Sequence, residues 1–206
     1  NLLAPVSTWR GWDGELPCGE QAVAFISEDG GRTWPAFGLT FDGRQNGLTH
    51  FEQSMVCLDE KRLVVVAWLY DSKTGKNLPS AYVTSSDGGR SFTPPKPTGF
   101  LAQTCKLAKL HDSHLLAAYR RADQPGLWGS LVSMEGNSWK NLCQVPIWQG
   151  ASSGMAGQGN QSDELSGLKF GSPSLKQMAD GDVMLTFWCV EDCVSNIRWI
   201  RLRVKK

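Results

Sequence analysis

A short polar motif that occurs twice in the chain strongly limits the folds available to it. Residues 27–34 read SEDGGRTW, and residues 85–92 read SSDGGRSF. A weaker copy, SMEGNSW, occupies residues 133–139. The copies therefore recur at intervals of about 50 residues, and periods of this kind are typical of β-propeller blades with four strands each.

The residue types of the motif suit a tight turn between two strands. The short side chains of Ser27 and Asp29 can hydrogen-bond backbone N–H groups inside the turn. Gly30 and Gly31 can adopt positive φ angles that other residues adopt reluctantly, and Trp34 can cover the turn with an apolar ring. The motif is therefore predicted to be a folding device, and neither Asp29 nor the equivalent Asp87 is predicted to be a catalytic acid.

Apolar runs with β-type alternation surround each copy of the motif. Three stretches repeat the order of short strand, polar turn and long strand: residues 55–71, 105–123 and 173–192. Residues 1–13 resemble the second half of this unit, and a further strand follows the partial unit and each full one, at residues 21–27, 80–86, 127–133 and 196–204. The pattern predicts an all-β fold without a helix of three turns. The predicted blades span residues 1–41, 50–97, 102–147 and 170–205, and the first blade lacks its first strand.

One segment does not fit the repeat. Residues 149–168 form a long glycine- and serine-rich loop between two predicted blades. Loops of this length are usually functional or disordered, so both a lid over a site and a disordered linker are open interpretations.

Composition excludes some partners. The 206 residues carry a formal net charge of +1, which gives no reason to expect nucleic acid or an anionic membrane as partner. No cofactor or metal site is predicted, because the cysteines and histidines lack metal-ligand spacing. His111 and His114 are expected in a solvated turn. A secreted or periplasmic location is expected, although the chain begins without a signal peptide and reads as a fragment.

The cysteines allow a limited prediction. Cys57 and Cys105 lie inside apolar runs, where a free thiol is usually buried. Cys189 and Cys193 are close enough to bridge a hairpin, so they are the best candidate pair for a disulfide if the chain has one.

The motif Ser-x-Asp-x-Gly-x-x-Trp at residues 27–34 resembles the Asp-box, or bacterial neuraminidase repeat, of the sialidase superfamily. The resemblance covers the chain outside residues 149–168. It implies a sialidase-like β-propeller with six blades in the intact protein, of which this chain would be the C-terminal two-thirds, about four blades. It also implies that the missing N-terminal blades of the same protein are a possible partner.

Candidate site residues follow from the propeller architecture, because the starts of inner strands and the ends of second strands surround a central funnel. At inner-strand starts lie Glu52, Gln53, Gln103, Thr104 and Ser172. At second-strand ends lie Arg10, Trp12, Asp13, Trp68, Asp71, Arg120, Arg121, Asp123, Trp188, Glu191 and Asp192. A funnel of carboxylates, arginines and tryptophans suits a carbohydrate, whose hydroxyls donate hydrogen bonds to carboxylates and accept them from arginines, and whose apolar faces stack on rings.

The predicted function is an exo-acting glycoside hydrolase of sialidase-like type that acts on a terminal sugar. Glu52 is the leading catalytic residue, because sialidases place a glutamate before an inner strand, and Asp123 is the second candidate. Glycosidases on related propellers use two carboxylates, and Glu52 could pair with Asp71, Asp123 or Glu191.

The departures from the family open two alternatives. Ser172 stands where sialidases have a tyrosine, and their three-arginine cluster is not recoverable. The chain could therefore be a non-catalytic sugar- or protein-binding propeller, or a structural half that needs its missing blades.

Overall fold

The computed structural model describes residues 1–151 and 167–204, and strands and loops account for all of them. The prediction of an all-β fold is confirmed: the described residues contain no helix, and thus none that could cross a membrane. The strands are β1 (Leu2–Ser7), β2 (Gln21–Ser27), β3 (Ala36–Asp42), β4 (Leu48–Cys57), β5 (Leu63–Asp71), β6 (Lys76–Ser85), β7 (Lys96–Pro97), β8 (Ala102–Lys109), β9 (Leu115–Arg121), β10 (Leu127–Glu135), β11 (Ser138–Trp148), β12 (Phe170–Gln177), β13 (Val183–Glu191) and β14 (Val194–Leu202).

The strands form four antiparallel sheets, each a simple meander. Sheet 1 has the order β1-β2-β3, sheet 2 the order β4-β5-β6-β7, sheet 3 the order β8-β9-β10-β11 and sheet 4 the order β12-β13-β14. The chain divides into two compact units, Asn1–Pro97 with sheets 1 and 2, and Thr98–Lys206 with sheets 3 and 4. The consecutive pairing follows from the short polar turns, which return each strand beside the previous one.

In the first unit, sheets 1 and 2 pack face to face. Ala22 of β2 and Phe41 of β3 meet Val65 and Ala67 of β5, and all four are fully or almost fully buried. Alternate residues of a strand point to opposite faces, so this contact uses one face of each sheet. Burial of these apolar side chains is the main force that holds the two sheets together.

The two polar motifs form the turns that their residues predict. The Ser27 hydroxyl donates to Asp29 Oδ1 over 2.8 Å and accepts from the Gly31 N–H over 2.8 Å. Asp29 Oδ1 also accepts the N–H groups of Arg32 and Thr33, each over 2.9 Å. In the second motif, hydrogen bonds led by that from the Ser91 hydroxyl lower the pKa of Asp87 to about 2. The carboxylates of both aspartates therefore stabilise the turns in which they lie.

The second turn also joins the two sheets of this unit. Gly38 of β3 lies so close to it that a β-carbon at Gly38 would stand 2.0 Å from the carbonyl oxygen of Gly89. Arg90 of the second turn pairs with Glu28 of the first over 2.7 Å. The recurring motif thus connects adjacent sheets as well as adjacent strands.

In the second unit, one face of sheet 4 packs on sheet 3. Phe170, Leu185 and Phe187 of sheet 4 share a buried cluster with Ala118 and Leu127 of sheet 3. The opposite face of β14 exposes large apolar side chains, among them those of Ile197 and Trp199. Sheet 4 therefore has one covered and one exposed face within the described part of the chain.

Several expectations about cysteines and loops change. Cys57 is exposed and not buried, because it is the last residue of β4, at the hairpin that leads into β5. Cys189 and Cys193 are free thiols and not a disulfide: Cys189 is buried inside β13, whereas Cys193 is exposed in the turn, with φ 64°. Cys105 is buried as expected. Most of the proposed lid, residues 152–166, lies outside the described residues.

Candidate functional site

The first strands of sheets 2, 3 and 4 share an irregularity at one position. Pairing with the next strand breaks between Phe51 and Ser54 in β4, between Gln103 and Lys106 in β8, and between Gly171 and Ser174 in β12. Each break is a β-bulge, which bends a strand and redirects a side chain, and bulges are common beside active sites.

In all three strands, the first residue inside the break has the left-handed backbone conformation. Its φ angle is 48° at Glu52, 55° at Thr104 and 48° at Ser172. Non-glycine residues reach this region at some energetic cost, and such strained positions concentrate at functional sites. The sequence predicted Glu52, Gln53, Gln103, Thr104 and Ser172 at inner-strand starts, and the bulge shows that Glu52, Thr104 and Ser172 have equivalent backbones.

Glu52 carries a carboxylate, whereas Thr104 and Ser172 carry hydroxyl groups. This carboxylate is also less engaged by neighbouring residues than the other candidate carboxylates. Its side chain is exposed, and its carboxylate forms no ion pair with a described residue. Thr104 is buried, and Ser172 is exposed. Glu52 is therefore the ionisable group among the three bulge residues.

The remaining candidate carboxylates are held by nearby residues. Asp71 accepts the Thr74 hydroxyl over 2.8 Å, and this bond is the largest cause of its lowered pKa. Asp123 binds Arg121 through both oxygens, at 2.7 and 2.5 Å, which likewise lowers its pKa. Glu191 has a lowered pKa for the same reason, beside Arg198. A lowered pKa keeps these carboxylates ionised, so none is suited to act as a general acid.

Two of the candidate arginines are also engaged locally. Arg10 donates to the Gly14 carbonyl oxygen over 3.1 Å and lies 3.9 Å from Glu20. Arg121, besides binding Asp123, lies over the ring of Trp128, with 4.6 Å between its guanidinium carbon and the ring centroid. Arg10 thus contacts its own loop, and Arg121, the last residue of β9, contacts the turn that follows it.

The predicted glutamine contact Gln53 has a structural role in the first unit. Its amide oxygen accepts the Thr40 hydroxyl over 2.6 Å, and its amide nitrogen donates to the Val6 carbonyl oxygen over 2.9 Å. Since Gln53 is buried, these bonds satisfy polar groups that would otherwise be costly to bury. Gln53 ties β4 to sheet 1.

The second unit brings four of the predicted residues together. Arg120 is only 2% exposed, and its Nε donates to Gln103 Oε1 over 2.9 Å. Its Nη1 donates to the Phe170 carbonyl oxygen over 3.1 Å. A β-carbon at Gly171 would lie 2.6 Å from that Nη1 and 3.5 Å from the indole nitrogen of Trp188. The glycine thus leaves room for the guanidinium beside the bulge that holds Ser172.

A group of aromatic rings surrounds Phe51, next to Glu52 in the first unit. Its ring centroid lies 5.2 Å from that of Trp9, 5.0 Å from that of Trp68 and 6.2 Å from that of Tyr70. Only Trp68 was predicted at the site. The dense aromatic content of the segment WLYD, opposite HFEQ, was the available signal, whereas the approach of Trp9 spans 42 residues and was missed.

The other predicted residues lie in turns. Trp12 is fully exposed, and Asp13 accepts the Glu15 N–H over 3.0 Å in the loop that follows β1. Asp192 forms the β13–β14 turn, with φ 50°. His114 lies in the turn between β8 and β9, as predicted, with its Nδ1 3.1 Å from Asp112. Residues 1–151 and 167–204 contain no group of three potential metal ligands.

Comparisons with known proteins give a likeness of structure and none of sequence. No known protein family matches the chain, and no curated protein does. A protein of unknown function from Dyadobacter fermentans matches 96% of this chain and 52% of its own length, at 16% identity and TM-score 0.68. The GH43B protein of a Bacteroides ovatus xyloglucan locus matches 97% of this chain and 36% of its own length, at 11% identity and TM-score 0.57. A xylan β-1,4-xylosidase from Bacillus halodurans matches 96% and 37%, at 11% identity and TM-score 0.52.

These similarities correct the family assignment. The characterised neighbours are GH43 glycoside hydrolases, which are five-bladed β-propellers, so the resemblance to the sialidase superfamily is wrong and a six-bladed sialidase-like fold is not supported. The physical reason is that the Ser-x-Asp-Gly-Gly turn stabilises a hairpin locally and reports strand connectivity more than ancestry. The chain spans about half the length of the first structure that it matches. Within that span, its four antiparallel sheets share the fold of β-propeller glycoside hydrolases.

Proposed function

We propose that this chain is part of a carbohydrate-processing enzyme, an exo-acting glycoside hydrolase, in which Glu52 is a catalytic carboxylate. The observation that carries the proposal is the bulge at Glu52, which holds an exposed carboxylate in a strained backbone conformation without an ion pair to a described residue. The fold that the chain shares with glycoside hydrolases supports the same conclusion.

Glycoside hydrolysis commonly uses two carboxyl groups, one as a general acid and the other as a base or nucleophile. Glu52 is free to serve in either role. Asp123 stays a predicted second carboxylate, and Arg121 holds it in the ionised form. In this proposal a carbohydrate is the partner, and a secreted or periplasmic location remains a prediction.

A second candidate function is sugar binding without catalysis. It is favoured by the state of Asp71, Asp123 and Glu191, each of which already binds a neighbouring side chain. A propeller in which these candidate carboxylates are held by neighbouring side chains could bind a sugar and leave the glycosidic bond intact.

Hydrolysis of a panel of aryl glycosides distinguishes the two functions. The protein with Glu52→Gln should lose about 100-fold or more in kcat, because a positioned acid or base contributes about 10²–10⁴ to the rate. Glu60→Gln is a matched control, since Glu60 is an exposed glutamate in the turn that follows β4. Equal activity of Glu52→Gln and Glu60→Gln would remove Glu52 from the mechanism, and sugar binding without turnover would favour the second function.

A further inference from the structure

We propose that Trp9 is a stacking platform for the ring of a neutral sugar, and that Glu52 disfavours acidic sugars at the same place. This inference rests on the proposed function, because it names the substrate class of the same site. It goes beyond that function in assigning a specificity-determining residue, one that lies outside every strand.

The rings of the aromatic group around Phe51 differ in their exposure to solvent. Phe51 and Trp68 are buried, at 7% and 6% exposed, whereas Trp9 is 63% exposed. The planes of Trp9 and Phe51 are inclined by 52°, so Phe51 supports the indole of Trp9 from one side. A large, supported and solvent-exposed ring is an apolar surface that the C–H face of a sugar can cover.

The backbone holds Trp9 in place before any ligand binds. The Thr8 N–H donates to the Gln21 carbonyl oxygen over 2.8 Å, and the Thr8 hydroxyl donates to the Gly19 carbonyl oxygen over 2.8 Å. Two further bonds join the end of β1 to the residues on either side of Phe51 and Glu52. The Ser7 hydroxyl donates to the His50 carbonyl oxygen over 2.6 Å, and the Gln53 amide donates to the Val6 carbonyl oxygen over 2.9 Å. A platform that is already ordered loses little entropy on binding.

The charges in this region favour a neutral ligand. Glu52 follows Phe51 directly in the chain, and its exposed carboxylate has no ion pair with a described residue to offset its charge. Arg10, the residue that follows Trp9, is already held by the Gly14 carbonyl oxygen and by Glu20. A carboxylate on the sugar would therefore meet the like charge of Glu52, while the guanidinium of Arg10 is already engaged.

Binding of galactose and galacturonic acid, measured by isothermal titration calorimetry, tests the inference. The two sugars differ in a carboxylate, and neither contains a glycosidic bond, so the assay does not depend on catalysis. Wild-type protein should bind galactose more tightly than galacturonic acid, and Glu52→Gln should reduce this preference. Trp9→Ala should raise the Kd for galactose by about tenfold, which corresponds to the loss of a stacking contact worth about 1.4 kcal/mol.

Two variants separate stacking from folding. Trp9→Leu keeps an apolar contact with Phe51 but has no flat ring, so it should weaken binding while the thermal unfolding midpoint stays near that of wild type. Trp12→Ala removes a fully exposed tryptophan from the same loop and should leave the Kd unchanged.

Three outcomes would overturn the platform. They are an equal Kd for Trp9→Leu and wild type, equal loss in Trp12→Ala, and binding of galacturonic acid as tight as that of galactose. Absence of saturable binding of galactose, xylose and arabinose to wild type would overturn it as well. The hydrolase proposal fails separately, if turnover survives Glu52→Gln while Trp9→Leu still weakens binding.

Discussion

Protonation of His50 should make the stability of the protein depend on pH in a defined window. His50 is 6% exposed, and its ring stacks on Phe41 with 4.6 Å between centroids and 16° between planes. Burial lowers its pKa from 6.5 to about 4, against a smaller opposing effect of Asp42. The folded protein therefore resists a proton that the unfolded chain accepts.

The pKa difference of His50 between the folded and unfolded states determines the direction and the size of the pH effect on the free energy of unfolding. Above pH 6.5 neither state binds the proton, so His50 has no effect on the free energy of unfolding. As the pH falls from 6.5 to about 4, the unfolded state alone gains the proton, and the free energy of unfolding decreases. At about 1.4 kcal/mol per pH unit, the full loss is about 3 kcal/mol, and no further loss from this group occurs below pH 4.

Urea unfolding of wild type and His50→Phe, at intervals between pH 7.5 and 4, measures this effect. Phenylalanine preserves the stacking on Phe41 and cannot titrate, so the difference between the two pH profiles isolates the imidazole. Wild type should lose about 3 kcal/mol more than the variant over the window. Parallel profiles would refute the reasoning, because they would show that burial does not lower the pKa of His50.

Two glycine substitutions test the close contacts described above. Gly38→Ala should lower the free energy of unfolding by about 1–3 kcal/mol, because its β-carbon would clash with the Gly89 carbonyl group. The control Ala36→Ser, at an exposed position of the same strand, should change the free energy of unfolding little. Equal unfolding midpoints for the two variants would contradict the contact between turn and strand. Gly171→Ala should lower the free energy of unfolding by about 1–3 kcal/mol, because it displaces the Arg120 guanidinium from the Phe170 carbonyl oxygen. Lys176→Ala is an exposed control on the same strand. If chemical denaturation finds both variants as stable as wild type, the guanidinium can move without loss of stability.

The sequence was most informative where the structure depends on neighbouring residues. The strand at residues 21–27 agrees with β2, and the turn role of Asp29 and Asp87 is confirmed, because alternation and turn chemistry act over a few residues. The repeat alone placed Glu52, Thr104 and Ser172 among the residues at inner-strand starts, but it did not distinguish Thr104 from Gln103. The same local range made the turns misleading as a family signature, since a hairpin of this kind can occur in any sheet of suitable connectivity.

What the sequence could not supply was the pairing between distant segments. The bulge at Glu52 exists only relative to β5, so no periodicity in β4 reveals it. The contact of Trp9 with Phe51 depends on the position of β1 beside β4. The ion pair between Asp123 and Arg121 could have been predicted from the sequence, because Arg121 lies two residues before Asp123 and a hairpin places the two side chains on one side.

The bulged residue has a practical meaning for the diversification of such scaffolds. Because the backbone leaves the ladder at Glu52, Thr104 and Ser172, an acid, a β-branched alcohol and a small alcohol occupy equivalent places without altering the flanking strand pairs. Chemistry at this point is therefore uncoupled from the integrity of the sheet. A designer could exchange reactive groups between the exposed positions 52 and 172 and expect the surrounding architecture to persist, whereas the buried position 104 would accept only small groups.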